Sequence, residues 1–414
     1  MPAAMLTMLS VGFAMQSGHR TAVPSVVRTI LGPPMTVATA PALDKETMDI
    51  ESVLNRALQL GPSRDNPIIM PFEPSGRWLW RRWHGTVLET CFRPTLNLVF
   101  VSILVVVATY PTWTWPLFAV PDPLHPSVIR LKALDTMWNY LLTLATFVSS
   151  FFVSQAYPFW LRNIHNTRKI QGRLNDVSLL LAGHAEREPD GRSLTPRARR
   201  YLDETGRHIR LCHILFWAGV VKPAAADRFE ASLSILATDE GLEGLEQRGA
   251  LTRSEKLLLQ GIQPLYRHNT VVAWIMASFE SARRQGTLRD SVGLENAVLS
   301  QLTNLRGTCA SVVDDCAAPM PLAYVHFVQV VTDVVLALAP FALFPRLGAL
   351  SVALSGILGI FYRGLLELSK SFLDPFGNQG SIGQNLQVDC LLGETNAGSV
   401  RWAESISMLP FEVA

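Results

Sequence analysis

Four long apolar stretches dominate the hydrophobic pattern of the chain. From Cys91 to Tyr110 it reads CFRPTLNLVFVSILVVVATY, with one charge, Arg93, near the entry. No charge occurs between Asp135 and Arg162, an interval that contains NYLLTLATFVSSFFVSQAYPFW. PMPLAYVHFVQVVTDVVLALAPFALF runs from Pro319 to Phe344 with Asp333 alone, and LGALSVALSGILGIFY fills the space between Arg346 and Arg363. About 20 apolar residues in a helix cross roughly 30 Å of hydrocarbon, so the pattern predicts membrane spans at about 91–110, 137–160, 319–344 and 347–363. The Pro345-Arg346 connection is short enough to force the last two into an antiparallel hairpin.

Between Arg162 and Ala318 the pattern becomes that of a soluble protein. RARRYLDETGRHIRLCHILFWA and LENAVLSQLTNLRG carry apolar residues at helical spacing with charges on the other faces, predicting amphipathic helices over a block at 162–318. REPDGRS, Arg187 to Ser193, interrupts the block as a loop. No repeat or strand pattern is visible. The expected fold is all-α: a multi-pass membrane protein with four transmembrane helices per subunit and a helical soluble block. After the last span, FLDPFGNQGSIGQN reads as a helix stop at Pro375 and Gly377.

Composition supports the membrane class. Hydrophobic residues make up 49% and charged residues 17%, against a net charge of only +2, which gives no global field for nucleic acid. Arg77, Arg81 and Arg82 precede the first span, Arg162, Arg168, Lys169 and Arg173 follow the second, and Arg363 and Lys370 close the fourth. By the positive-inside rule, both termini and the soluble block face the cytoplasm or stroma. Trp113, Trp115 and Trp138 are then expected in an aromatic belt at the opposite interface. Residues Met1 to Leu43 contain Arg20 and Arg28 but no acid, so 1–60 is expected to be an organelle-targeting presequence or a disordered tail. The five cysteines are scattered without a C-x-x-C pair, which favours reduced thiols over a disulfide framework or a zinc site.

Candidate chemistry is sparse. Thr143, Phe147, Phe151 and Gln155 recur every four residues along one helix face, with Ser149, Ser150 and Ser154 nearby. Hydroxyls beside aromatic edges can hold a partly dehydrated anion without trapping it, and the same rings could equally pack against another helix. Asp333 is expected to pair inside the protein, since an intramembrane carboxylate is costly alone. His326 lies seven residues before it, on nearly the same face. After Asp374 no acid follows until Asp389, too few hard oxygen ligands for a calcium loop. G-x-S-x-G, H-E-x-x-H and G-x-G-x-x-G are all missing, and neither an enzyme nor a cofactor is expected.

Several motifs, in order, resemble the bestrophin family of anion channels. RWLWRRWHGTVL resembles the basic-aromatic entry to the first span, and FVSSFFVSQAYPFW the pore helix. ALTRSEKLLL, LENAVLSQLTNLRGTC and PLAYVHFVQVV resemble successive soluble and membrane segments; DPFGNQG followed by NLQVD resembles the Asn/Asp-Pro-Phe-Gly element. The likeness covers roughly Arg77 to Glu394, implying a channel domain at 77–394 and a C-terminal tail at 395–414. It implies a homopentamer around one axial pore in a lipid bilayer, passing chloride, bicarbonate or other small anions. Carried over by position, the pore neck falls on Thr143, Phe147 and Phe151, with Ser150, Ser154 and Gln155 as further candidate lining and Glu246 as a candidate cytosolic aperture. Thr143 makes this neck more polar than is usual in the family, and Leu144 replaces a family proline. The loop that ligates calcium in animal members corresponds to Asp374, Gln379, Ile382 and their neighbours; its run from Asn378 to Ile382 is uncharged, so calcium gating there is not expected. Plant and algal members often share that lack, implying a chloroplast membrane, the thylakoid in particular, with the plasma membrane as the alternative. The rival readings are a proton-coupled anion transporter using His326 and Asp333, and a non-conducting membrane scaffold.

Overall fold

The computed structural model describes residues 49–61, 68–69, 75–76, 81, 86–109, 120–221, 233–289, 291–377 and 385–412. Among these, the named elements are all helical: α1 (Ile50–Ala57), α2 (Val87–Thr109), α3 (Pro126–Gly183), α4 (Pro196–Val220), α5 (Asp239–Gln247), α6 (Arg253–Gln260), α7 (Arg267–Arg284), α8 (Val292–Ala317), α9 (Leu322–Leu347), α10 (Ser351–Phe372) and α11 (Val388–Ser405). By length and composition, α2, α3 and the stretch Leu322–Phe372 can cross a membrane. That last stretch is two helices, α9 and α10, separated by a 3-10 turn at Gly348–Leu350. Gly348 turns the chain with φ 53°, a conformation that costs glycine little.

The hairpin is antiparallel, and its turn lies after Leu347 rather than at Pro345-Arg346. Asp333 and Arg363, equidistant from Gly348 in sequence, meet as a largely buried ion pair. Arg363 therefore lies inside α10, which continues to Phe372, and does not mark the end of a span at 363. Gln329 Nε2 donates to Asp333 Oδ2 (2.8 Å), and Lys370 Nζ donates to Gln329 Oε1 (2.7 Å) and pairs with Glu367 (3.1 Å). The carboxylate predicted to pair inside the protein does so.

The second span is part of a helix of 58 residues, roughly 87 Å long at about 1.5 Å per residue. It begins at Pro126, where His125 Nδ1 accepts from the Ser127 N–H (3.4 Å), and crosses the expected boundary near 160 without a break. Below that boundary its cations are anchored: Arg162 to Asp315 of α8 (2.8 Å), Arg168 to Glu394 of α11 (2.7 Å), and Arg173 to Gln301 of α8 (2.7 Å). These contacts fix α3 as the spine shared by the membrane part and the soluble block.

Trp138 is not part of an interfacial belt. It is buried among Ala145, Val335, Leu336, Ala339 and Tyr362, and its indole N–H donates to Val335 O (2.8 Å). In hydrocarbon that N–H needs an internal acceptor, which the Val335 carbonyl supplies. Trp113, Trp115, Arg77 and Arg82 lie outside the described residues.

Under the membrane helices a single large core gathers α1, lower α3, α4 to α8 and α11 around Phe216, Trp217, Phe279, Ile209 and Leu211. Helix starts follow local chemistry. Thr195 caps α4 by accepting from the Ala198 N–H (3.2 Å) with Pro196 at the first helical position, and Thr252 and Glu255 form a capping box on α6. Such caps satisfy backbone donors that the helix itself cannot. In REPDGRS, Asp190 accepts from the backbone of Arg192 (2.8 Å) and Ser193 (3.0 Å), so the predicted loop is a tight turn.

Both terminal boundaries shift. Residues 50–57, assigned to a presequence or tail, form α1, with Val53 and Ala57 fully buried in the soluble core; residues 1–48 lie outside the described set. The tail at 395–414 contains more than half of α11, whose Thr395, Asn396 and Ser399 are buried. The two ends are bound together: Asn396 Nδ2 donates to Ala57 O (2.8 Å) and Gln59 O (3.0 Å), and the Gly61 N–H donates to Gly393 O (2.9 Å). A Cβ at Gly393 would lie 2.3 Å from Gly61 O, so this approach requires glycine.

Candidate functional site

Upper α3 has two distinct faces. Ala145, Val148, Phe152, Ala156 and Phe159 are buried; Val148, Phe152, Ala156 and Phe159 pack with Val328 of α9 and Leu366 of α10. On the other face Thr143, Phe147, Ser150, Phe151, Ser154 and Gln155 are all exposed. Phe147 is 70% and Phe151 48% exposed, values that water alone would not favour for phenyl rings. The period of 3.6 residues separates the faces, and the predicted stripe is thus continuously exposed among the described residues. Ser149 is not part of it: it is buried, with no partner for its Oγ among the described residues.

The two rings are held differently. Phe151 meets Tyr324 of α9 edge to face (centroids 6.3 Å, planes 87° apart), and Tyr324 also contacts Phe152 (5.8 Å). Among the described residues Phe147 has no ring partner. Thr143 Oγ1 donates back to Asn139 O (3.1 Å), which commits its one hydroxyl proton to the helix backbone.

Glu246, at the end of α5, is partly buried and ion-paired with Lys256 of α6. Its carboxylate is therefore neutralised locally, whereas the neighbouring Gln247 is exposed. Leu257 and Leu258 on α6 are also exposed, at 62% and 61%.

The segment after α10 is more than a helix stop. Asp374, Pro375, Phe376 and Gly377 are all buried. The Gly377 N–H donates to Asp374 O (3.2 Å), the Leu386 N–H donates to Pro375 O (2.8 Å), and the Phe376 ring lies 5.1 Å from Trp217. This element plugs the end of the membrane hairpin into the soluble core. Gln379 and Ile382 lie outside the described residues. Among the described residues, no three His, Cys, Asp or Glu side chains are grouped to hold a metal ion.

Beside that plug, Trp217 Nε1 donates to His213 Nε2 (2.9 Å), and His268 packs on Phe216 (5.1 Å). Burial pushes His213 down to about 3 and His268 down to about 4, the latter against a backbone hydrogen bond at Leu265. At Glu255, burial raises the carboxyl, but hydrogen bonds from Arg207, His208 and Thr252 outweigh it and hold the group well below the usual carboxylate range. No contact joins His326 to Asp333: His326 is exposed, and Asp333 is taken by Gln329 and Arg363.

Sequence reasoning found the exposed stripe but missed Arg363 and the Trp217–Phe376 contact. A lone acid and a lone base at matching distances from a turn are a usable signal for the first. The second joins distant segments and leaves no local pattern.

The family model described as "Bestrophin, RFP-TM, chloride channel" matches residues 82–392. The chain belongs to the bestrophin family. A bacterial bestrophin homologue from Klebsiella pneumoniae is similar in fold, with 16% identity, a TM-score of 0.51, and coverage of 75% of this chain and 97% of that one. Two mutant forms of the Klebsiella pneumoniae homologue are similar as well. One gives 13% identity and a TM-score of 0.54 with 75% and 98% coverage, the other 17% and 0.51 with 78% and 100%. No curated protein sequence compared with the chain matches it.

The bestrophin match takes in α2 to α10 and the start of α11. Helix α1 and the rest of α11, and with them the clasp between Asn396 and Ala57, lie outside it. The exposed face of α3 lies within it.

Proposed function

We propose that this bestrophin-family membrane protein assembles as a homopentamer whose axial pore passes chloride, bicarbonate or both, with Thr143, Phe147 and Phe151 as the neck. The observation that carries the proposal is the exposed stripe of α3, on which rings and small polar groups alternate while the opposite face is packed against α9 and α10. A ring of such stripes offers a passing anion the Ser150 and Ser154 hydroxyls, the Gln155 amide and the positive edges of phenyl groups, each weak enough to release it. Ser150 lies between the two rings, and Ser154 and Gln155 continue the lining below the neck. Glu246 borders a lower aperture, where Lys256 offsets the repulsion a bare carboxylate would exert.

Opening does not depend on calcium at the loop after Asp374, because Asn378 to Ile382 carry no charge. The acid-free N-terminal region favours a chloroplast membrane, the thylakoid in particular, and a fluorescent fusion in a plant or algal cell tests that location. Proton-coupled transport is disfavoured because Asp333 already has Arg363 as its partner. Purified protein in a planar bilayer under a chloride gradient tests the channel reading: anion current that changes in Phe147→Ala and Phe151→Ala supports it. Current indifferent to both substitutions removes the neck assignment.

A further inference from the structure

Further along α3 the exposed face becomes basic. A helix of about 3.6 residues per turn repeats its direction about every 18 residues, or five turns. His165 therefore points as Phe147 does, and Lys169 as Phe151 does, about 27 Å deeper. Pro158 lies between them and could have broken this register, but it does not. Ala145, Asn163 and Leu181 follow one another at the same spacing, and all three are fully buried. The packed face thus runs straight through the proline, and so does the face opposite it.

His165 and Lys169 are both exposed. The other cations on this part of α3 are occupied: Arg162 with Asp315, Arg168 with Glu394 and Gln171, and Arg173 with Gln301. His165 and Lys169 alone have no hydrogen-bond or ion-pair partner among the described residues. Three cations on this part of the helix build the fold, and Lys169 is left on the neck azimuth with its charge unspent.

We propose that Lys169, with His165 one turn before it, forms a second anion-binding station in the water-filled vestibule beneath the neck. Its ligand is a small monovalent anion. Each subunit contributes one ammonium to a ring that concentrates anions before they reach the phenyl constriction, as rings of Lys or Arg do in anion pores. This inference rests on the reading that the exposed face of α3 lines the pore.

The test is conductance of the full chain in planar bilayers at about 0.1 M and about 1 M chloride, where the screening length falls from about 10 Å to about 3 Å. Lys169→Gln is expected to lower conductance about two- to fourfold at the lower salt and hardly at all at the higher. Lys169→Glu lowers it further and shifts the reversal potential toward that of the cation, and Lys169→Arg keeps the wild-type behaviour. If the wild type carries anion current and Lys169→Gln and Lys169→Glu match it at low salt, the station is overturned while the pore reading stands. A loss equal at both salt concentrations also overturns it, since a structural defect would not be screened. If the wild type carries no anion current, the pore reading falls and the station with it.

Discussion

Asp333 and Arg363 show at the scale of single residues why an isolated intramembrane charge is informative. With side chains only 12% and 10% exposed, each is tolerable because of the other. Removing one partner leaves a buried charge and typically costs about 3–5 kcal/mol, whereas replacing both with apolar residues of similar volume can be neutral or better. Asp333→Leu and Arg363→Leu are each expected to lower the melting temperature of the detergent-solubilised protein markedly, and the double substitution to recover most of it. A double variant as unstable as the sum of the two would contradict the pairing. The acid was legible in the sequence as an anomaly that needed a partner. The partner was not, because a basic residue at the end of an apolar run reads equally well as a cytoplasmic flank.

The buried histidines set a pH dependence at the same scale. An unfolded histidine takes up its proton near pH 6.5, whereas His213 and His268 resist it down to about 3 and about 4. Between these values the unfolded chain binds more protons than the folded one, so stability is full above about pH 6.5 and falls as the medium is acidified toward pH 4. Glu255, whose carboxyl is held low, adds its loss only below its unfolded value of about 4.3. The melting temperature should therefore be several degrees lower at pH 4.5 than at pH 7.5, and His213→Gln with His268→Gln should flatten that slope. An equal slope in the double variant would show that other groups control it.

At the scale of elements, α3 and the pair α1–α11 were read with unequal success. The exposed face of α3 could be found from its four-residue recurrence alone, because period is a local property. Its length could not: the composition changes near Arg162, and a change of composition suggests a boundary even where the backbone continues. Helix α11 was hidden for a different reason. VDCLLGETNAGSVRWAES carries two glycines, two serines, a threonine and an asparagine, all weak helix formers, and its two glycines allow close approaches, Gly393 to Gly61 just beyond α1 and Gly398 to Asn175 of α3. Asn396→Ala would leave Ala57 O and Gln59 O without their donor, at about 1–3 kcal/mol for each buried group left unsatisfied. Faster amide exchange over residues 50–61, with α9 and α10 unchanged, is the expected result; unchanged exchange would mean that the apolar contacts of Val53 and Leu54 hold α1 without the clasp.

At the scale of the whole molecule, the division into apolar helices and a soluble helical block was legible because membrane solvation imposes itself on composition. The way the parts are fastened was not, since the Phe376–Trp217 plug and the salt links along α3 join residues far apart in the chain. Together these fastenings leave the Thr143–Gln155 face of α3 largely exposed among the described residues, with Tyr324 of α9 reaching it only at Phe151. The most direct test of the account is the current carried by purified wild-type protein in a planar bilayer with unequal chloride on the two sides. The account predicts a reversal potential close to that of chloride, insensitive to added calcium. Silence across chloride, nitrate and bicarbonate gradients alike, or a reversal potential that follows the cation, would contradict it.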